Sequence, residues 1–251
     1  MELSKSKIKE IASLKQGKYR KLSQSFLVEG VKHIEELLET NHKARKIIGL
    51  SPYIEAQRER LSTISQNIYT VSETVLRRLS TQTTPNQVIA VLDYLPSHRP
   101  NLGQGLTLAL DRISDPGNLG TIIRIADWFG IENIVCSPDT VDLYNPKTIQ
   151  ATMGSYLRVN LYYTDLAQLF QDLNTNIPIY GTVLEGGENL HQSTLATDAI
   201  IVLGSESHGI SPEVLNHITN PITIPSHSKG RGAESLNVSI ATAIICSEFR
   251  R

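Results

Sequence analysis

The stretch from Leu108 to Ile131, LALDRISDPGNLGTIIRIADWFGI, constrains what this chain can fold into more than any other. Leu108, Ala109 and Leu110 are apolar without alternation, as in a strand covered on both faces. Asp115 followed by Pro116 reads as a helix N-cap with proline at the first helical position. Leu119, Ile122, Ile123, Ala126 and Phe129 then recur at helical spacing, leaving Asn118, Thr121 and Arg124 off the apolar stripe. Polar groups therefore gather where a buried parallel strand ends, which is the usual ligand position in open α/β sheets.

The rest of the chain repeats this alternation, so an α/β fold is expected throughout. Before the linker, a first helix is marked by Ile8, Ile11 and Leu14. Strand SFLVEG, a helix from Val31 to Glu39, strand RKIIGL, a helix from Ile54 to Leu61, strand NIYTV, a helix from Glu73 to Leu79 and strand QVIAVL follow. In DYLPSHRPNLGQG all periodicity stops among prolines, glycines and polar residues. The domains are accordingly read as 1–95, a linker at 96–105, and 106–251. In the second domain come strand NIVCS, a helix near Asn145 to Met153, strand RVNLYY, a helix from Leu166 to Leu173, strands IPIYGTVL and AIIVLG, a helix from Pro212 to Ile218, and strand PITIP. A last helix is expected from about Ser235 to Phe249, with apolar residues on more than one face, so that it is covered by its own sheet and by another helix or subunit.

Net charge is −1, but it is unevenly spread. Residues 1–97 carry fifteen Lys and Arg against ten Asp and Glu, and the remainder is net negative. Lys5, Lys7, Lys9, Lys15, Lys18, Arg20 and Lys21 cluster near the start, which suits a polyanion as well as a solvated face. No run approaches the roughly 18 apolar residues of a membrane span, and MELSKSKIKE holds no apolar segment of signal-peptide length, so no membrane association and a cytoplasmic location are expected. Cys136 and Cys246 belong to no CxxC or Cys/His cluster and read as buried, reduced thiols.

Three apolar strands end in loops rich in Gly, Ser, Asn or Glu: LALDRISDPGN, IIVLGSESHGIS and ITIPSHSKGRGAESLN. Glycine permits close backbone approach to a ligand, and amides at strand ends and helix starts supply donors. Three such loops at strand C-termini suggest one shared pocket. GNLG lacks the spacing of a dinucleotide fingerprint, and no P-loop lysine follows it.

DRISDPGNLGTIIRIADWFG, VLGSESHGIS and IPSHSKGRGAESLNVSIATAI resemble, in order, the three motifs of the SpoU or TrmH branch of the SPOUT RNA methyltransferases. FLVEG and TQTTPNQVIAV resemble the substrate-binding domain that often precedes that catalytic domain. The resemblance implies a Rossmann-like parallel sheet with a C-terminal trefoil knot, preceded by a small α/β RNA-binding domain. It also implies a homodimer that uses S-adenosyl-L-methionine to methylate a ribose 2′-hydroxyl, in ribosomal RNA ahead of transfer RNA. By motif position, backbone around Leu203, Gly204, Ile224, Pro225 and Leu236 holds the cofactor, and Asn118, Arg124, Glu206, Ser235 and Asn237 form the active site. The stretch between Pro225 and Ser235, with Lys229, Gly230, Arg231 and Gly232, is longer than the family's usual loop.

Transfer from a sulfonium is an in-line displacement that needs alignment and stabilisation of a developing alkoxide, and no metal. A guanidinium stays protonated, so an electrostatic role suits Arg124 better than that of a base. Singly, each residue has a plainer reading: Asn118 as a first-turn helper, Arg124 in a surface ion pair, Glu206 as a solvated carboxylate. His208 and His227 show no metal-ligand spacing. Trp128 reads as core or dimer interface rather than a stacking platform. A non-catalytic RNA-binding protein that keeps the methyltransferase fold is the alternative.

Overall fold

A computed structural model describes residues 3–173, 176–228 and 233–251. The chain forms two compact units, one of residues Met1–Pro96 and Tyr144–Leu157, the other of Ser97–Leu143 and Arg158–Arg251.

In the first unit the elements are α1 (Lys5–Ser13), α2 (Gly17–Ser23), β1 (Ser25–Glu29), α3 (Val31–Leu38), β2 (Ala44–Gly49), α4 (Ser51–Ile64), β3 (Ile68–Thr70), α5 (Glu73–Leu79) and β4 (Val88–Asp93). The sheet order is β1-β4-β2-β3, with β4 antiparallel to both neighbours and β2 parallel to β3, a mixed sheet. All five residues of β1 are buried, because both sheet faces are covered. Leu27, Ile48, Ile89 and Val91 pack with Ile8, Ile11 and Leu14 of the α1 region and with Leu76 and Leu79 of α5.

This unit also includes a helix that periodicity and the linker position assign to the second domain. Tyr144 stacks on Tyr94 at 3.8 Å between ring centroids, and its hydroxyl accepts the Leu95 N–H at 2.9 Å. Phe26 packs against Tyr144 and Tyr156 at 4.7 and 5.8 Å. The segment Tyr144–Leu157, with α6 (Pro146–Thr152) and a short 3₁₀ turn, is thus part of the first hydrophobic core. Helical periodicity places a helix here without saying which core its apolar face joins, and a division at 96–105 alone misses it.

The second unit comprises β5 (Leu106–Asp111), α7 (Pro116–Trp128), β6 (Asn133–Cys136), β7 (Asn160–Tyr163), α8 (Leu166–Gln171), β8 (Ile179–Thr182), β9 (Glu188–Asn189), β10 (Ala199–Gly204), α9 (Pro212–Leu215), β11 (Asn220–Thr223) and α10 (Val238–Phe249). Its seven strands run parallel in the order β7-β6-β5-β10-β8-β11-β9. The chain moves outward through β6 and β7 on one side of β5, crosses to β8 and the edge strand β9 on the other, and only then inserts β10 between β5 and β8 and β11 between β8 and β9. The β5/β10 pair is therefore the switch point of the sheet, where open α/β sheets bind ligands beyond the strand C-termini. Ala109, Val135, Ile200 and Val202 pack with α8 and α9. The residues alternating with them turn to the other face, where α7 and α10 touch each other and the strands.

The last helix begins at Val238, three residues later than its periodicity suggests, because the Asn237 carboxamide caps it. Ser235 and Leu236 thus lie outside it. Its covered side holds Val238, Thr242, Ile245, Cys246 and Phe249, while Ile240 remains 53 % exposed. Trp128 is 84 % exposed, which removes the core reading for it. Cys136 and Cys246 are buried free thiols, and burial pushes the Cys246 thiol up to about 12. Among the described residues no helix is long and apolar enough to cross a membrane.

Candidate active site

Three loops leave the C-terminal edge of the parallel sheet, two at its switch point and one from β11, two places further along. The first follows β5, whose last residue, Asp111, is paired in register with Gly204 at the end of β10. Asp111 is buried, and its Oδ2 accepts the backbone N–H of Ser211 at 2.6 Å, tying the first loop to the second. Asp115 caps α7 by accepting the Asn118 N–H at 2.8 Å, which fixes Asn118 in the first turn.

The second loop, after β10, is a tight turn. Ser205 and Gly209 exchange two backbone hydrogen bonds, at 3.0 and 2.9 Å. A Cβ on Gly204 would lie 2.1 Å from the Gly209 carbonyl carbon and 2.2 Å from the Ile210 nitrogen, so only glycine fits beneath this turn. Gly209 needs its glycine for another reason, a φ of +65°. Between the two sits Glu206, exposed at the tip.

The third loop follows β11 and ends at the α10 cap. Asn237 Oδ1 accepts the N–H groups of Ser239 and Ile240 at 2.9 and 3.3 Å and the Ser239 hydroxyl at 2.6 Å. Its amide nitrogen remains available and donates to Asn118 Oδ1 at 2.9 Å. Asn118 in turn donates from Nδ2 to Glu206 Oε1 at 2.5 Å. One hydrogen-bonded chain, Asn237 to Asn118 to Glu206, therefore joins side chains from all three loops.

The other two expected polar residues stand outside this chain. Arg124 is exposed and forms no ion pair with another described residue. It lies six residues beyond Asn118 on α7, about 9 Å along the axis and about 120° around it. Ser235 is exposed and makes no hydrogen bond to another described residue. Lys229, Gly230, Arg231 and Gly232 lie outside the described residues. Among the described residues no cluster of His, Cys, Asp and Glu could hold a metal.

Of the expected cofactor contacts, Leu203 is buried at the end of β10, and Gly204, Ile224 and Pro225 are half-buried. Leu236 is 49 % exposed. Ile224 and Leu236 make no backbone hydrogen bond to another described residue. Beside them lies a loop absent from the three motifs. It runs from Val183 to Gly187 after β8, the strand between β10 and β11. Thr223 donates from Oγ1 to the Val183 carbonyl at 3.0 Å, and a Cβ on Gly187 would meet Thr223 Oγ1 at 2.5 Å. Leu184 projects from this loop, 68 % exposed. The sequence does carry a signal for it: IPIYGTVL is an apolar strand closed by Glu185, Gly186 and Gly187, the same construction as in the other three loops.

Apolar side chains beside uncommitted backbone donors and acceptors suit a flat heteroaromatic ring whose polar edge pairs with main chain. The adenine end of a nucleoside cofactor has that chemistry, so the residues present fit it.

Comparison with known proteins finds similarity over both parts of the chain. Residues 105–247 match the SpoU rRNA Methylase family, and residues 5–90 match the MRM3-like substrate binding domain. The 23S rRNA (guanosine(2553)-2′-O)-methyltransferase RlmP of Bacillus subtilis is 28 % identical over 97 % of this chain and 96 % of its own. A structure assigned to the TrmH family of RNA methyltransferases, from Porphyromonas gingivalis, is 40 % identical with a TM-score of 0.87, covering 99 % of this chain and 98 % of that one. An AdoMet-bound rRNA methyltransferase from Sinorhizobium meliloti is 27 % identical with a TM-score of 0.85, covering 100 % and 97 %.

Proposed function

The chain belongs to the SpoU rRNA methylase family, and from that premise we propose that it transfers a methyl group from S-adenosyl-L-methionine to a ribose 2′-hydroxyl of RNA in the cytoplasm, ribosomal RNA ahead of transfer RNA. The observation that carries this reading is the hydrogen-bonded chain Asn237 to Asn118 to Glu206, because it orients polar groups from three separate loops beside the cofactor candidates.

When bound, the cofactor supplies an electrophilic methyl carbon on a positively charged sulfur. The residues of this chain must then hold the hydroxyl oxygen in line with it, a positioning effect that lowers the barrier by avoiding the entropy cost of alignment. Backbone at Leu203, Gly204, Ile224, Pro225 and Leu236, with the Val183–Gly187 loop, binds the donor. Asn118, fixed at both amide atoms, keeps the Glu206 carboxylate in one orientation, so that Glu206 Oε2 is left to accept a hydrogen bond from the ribose. Arg124, a permanent cation without a carboxylate partner among the described residues, faces solvent where an RNA phosphate or a developing alkoxide is stabilised by it. Ser235 offers a hydroxyl at the same edge.

The same reading includes a trefoil knot within the segment from β10 to α10, and a homodimer. Trp128 on α7 and Leu236 and Ile240 at the start of α10 leave apolar surface exposed, which supports a protein interface there.

The test uses the purified full chain, tritiated S-adenosyl-L-methionine and a 23S rRNA transcript, with mass-spectrometric mapping of ribose-methylated nucleotides. Arg124→Ala is expected to abolish transfer while calorimetry finds cofactor binding retained. Near-normal methylation by that variant overturns the assignment of Arg124, and absence of cofactor binding by the wild type favours a non-catalytic RNA-binding protein.

A further inference from the structure

The first unit contains a cleft of about 460 Å³ whose lining includes Lys15, Thr81, Gln82, Asn145, Lys147 and Gln150, without a carboxylate. It is built by an unusual device. Glu29, a carboxylate only 4 % exposed at the end of β1, accepts the Ser80 hydroxyl at 2.6 Å, the Thr81 N–H at 2.8 Å and the Thr81 hydroxyl at 2.5 Å. These bonds hold the Ser80–Gln82 turn in one shape as one wall of the cleft, and α6 forms the other.

Among the described residues no carboxylate pairs with the cations in this cleft. Lys15 Nζ donates to the carbonyls of Arg78 and Ser80 at 2.8 and 2.6 Å, so it is held in place by neutral acceptors. Lys147 is exposed, and its ammonium has no partner among the described residues. Across the cleft, Gln82 Nε2 donates to Gln150 Oε1 at 2.9 Å. That leaves Gln82 Oε1 as an acceptor and Gln150 Nε2 as a donor, an edge with the donor and acceptor pattern of a nucleobase.

We infer that this cleft grips one nucleotide of the RNA substrate, with Lys15 and Lys147 neutralising a backbone phosphate and the Gln82–Gln150 amide pair meeting a base edge. The inference rests on the RNA methyltransferase reading for its ligand, and on the geometry of the first unit alone for its place. A phosphate supplies the missing counter-charge, and unpaired nucleotides expose the edge that an amide pair can bond.

The experiment compares the full-length wild type with Lys147→Glu, Gln150→Ala and Arg58→Glu, the last being the same charge change on an exposed α4 residue that is not part of the cleft lining. Binding of a fluorescent 23S rRNA transcript is titrated over a range of salt, and S-adenosyl-L-methionine binding and methyl transfer are measured in parallel. Lys147→Glu should weaken RNA binding about tenfold and lower the salt slope by about 0.7 to 0.9. Gln150→Ala should weaken binding with the salt slope unchanged, and both should bind cofactor as the wild type does. If Lys147→Glu and Arg58→Glu behave alike, the cleft is not the site. If the wild type binds RNA through Lys147 but transfers no methyl group, the enzymatic reading falls and the cleft stands; if it binds no RNA, both fall.

Discussion

Gly204→Ala tests the idea that the turn after β10 is a rigid wall of the active site. The added methyl would meet backbone, not the flexible end of a side chain, at 2.1 Å from the Gly209 carbonyl carbon. Restoring ordinary contact at 3.4 Å requires the turn to retreat by about 1.3 Å, a displacement on the scale that costs an enzyme about a hundredfold in rate. The retreat breaks the two Ser205–Gly209 bonds, each contributing about 1 kcal/mol, and residual overpacking adds about 1 to 3 kcal/mol. The expected loss is therefore about 3 to 5 kcal/mol, felt first as a displaced Glu206 and a weakened cofactor site. Gly209→Ala is the control: nothing lies within 4 Å of its Cβ, so only the left-handed backbone opposes it, at about 1 to 2 kcal/mol. Thermal melting, calorimetric titration with S-adenosyl-L-methionine and tritium transfer read the two variants. Wild-type transfer and wild-type melting in Gly204→Ala, or greater damage from Gly209→Ala, refutes the reasoning.

Asn237→Asp keeps the α10 cap but replaces the amide donor facing Asn118 Oδ1 with a carboxylate oxygen, so the Asn237–Asn118 bond is lost unless the Asn118 amide turns over and faces Glu206 with its own oxygen. Chemical denaturation should find stability unchanged or raised by up to about 1 kcal/mol, while methyl transfer drops about tenfold or more. His33 is 2 % exposed, and burial lowers its pKa from 6.5, against weaker opposition from the Gln150 backbone, Glu36 and Glu29. The unfolded chain therefore takes up the proton first. The stability contribution is complete above pH 6.5 and is lost as pH falls from there toward the lowered value, at up to about 1.4 kcal/mol per pH unit. His33→Phe should flatten denaturation profiles measured across that window, and an unchanged pH dependence sinks the argument. Trp128→Glu and Ile240→Glu should shift sedimentation from dimer to monomer; wild-type sedimentation in both removes this face from the interface.

Strand ends were legible in the sequence because each one joins an unbroken apolar run to glycine and polar residues, a contrast that needs no tertiary information. The Asp115–Pro116 start of α7 was legible for the same local reason, as cap and proline chemistry act within one turn. The true start of α10 was not. Ser235 and Asn237 are both good caps by residue type, and the choice is made by Asn118, which lies far away in the chain and holds the Asn237 amide. The two-residue β9 is equally invisible, since it exists only through pairing with β11. Nor could periodicity reveal that the three loops share one hydrogen-bonded chain while Arg124 stands apart from it. That outcome depends on which strands are neighbours, and β5 and β10 become neighbours only because β10, made after β8 and β9, is inserted between β5 and β8.

The segment Tyr144–Leu157 makes the first unit discontinuous along the polypeptide, and this orders events at the ribosome. Translation delivers residues 1–96 early, but the aromatic rings that close over Phe26 emerge only after β5, α7 and β6 have been made. At about 5 to 20 residues per second the nascent amino-terminal sheet waits several seconds with that ring uncovered. A fragment cut after residue 96 stays in this unfinished condition permanently. The enzyme's two halves are thus stitched rather than strung together, and neither can be exchanged for a relative's by a single splice.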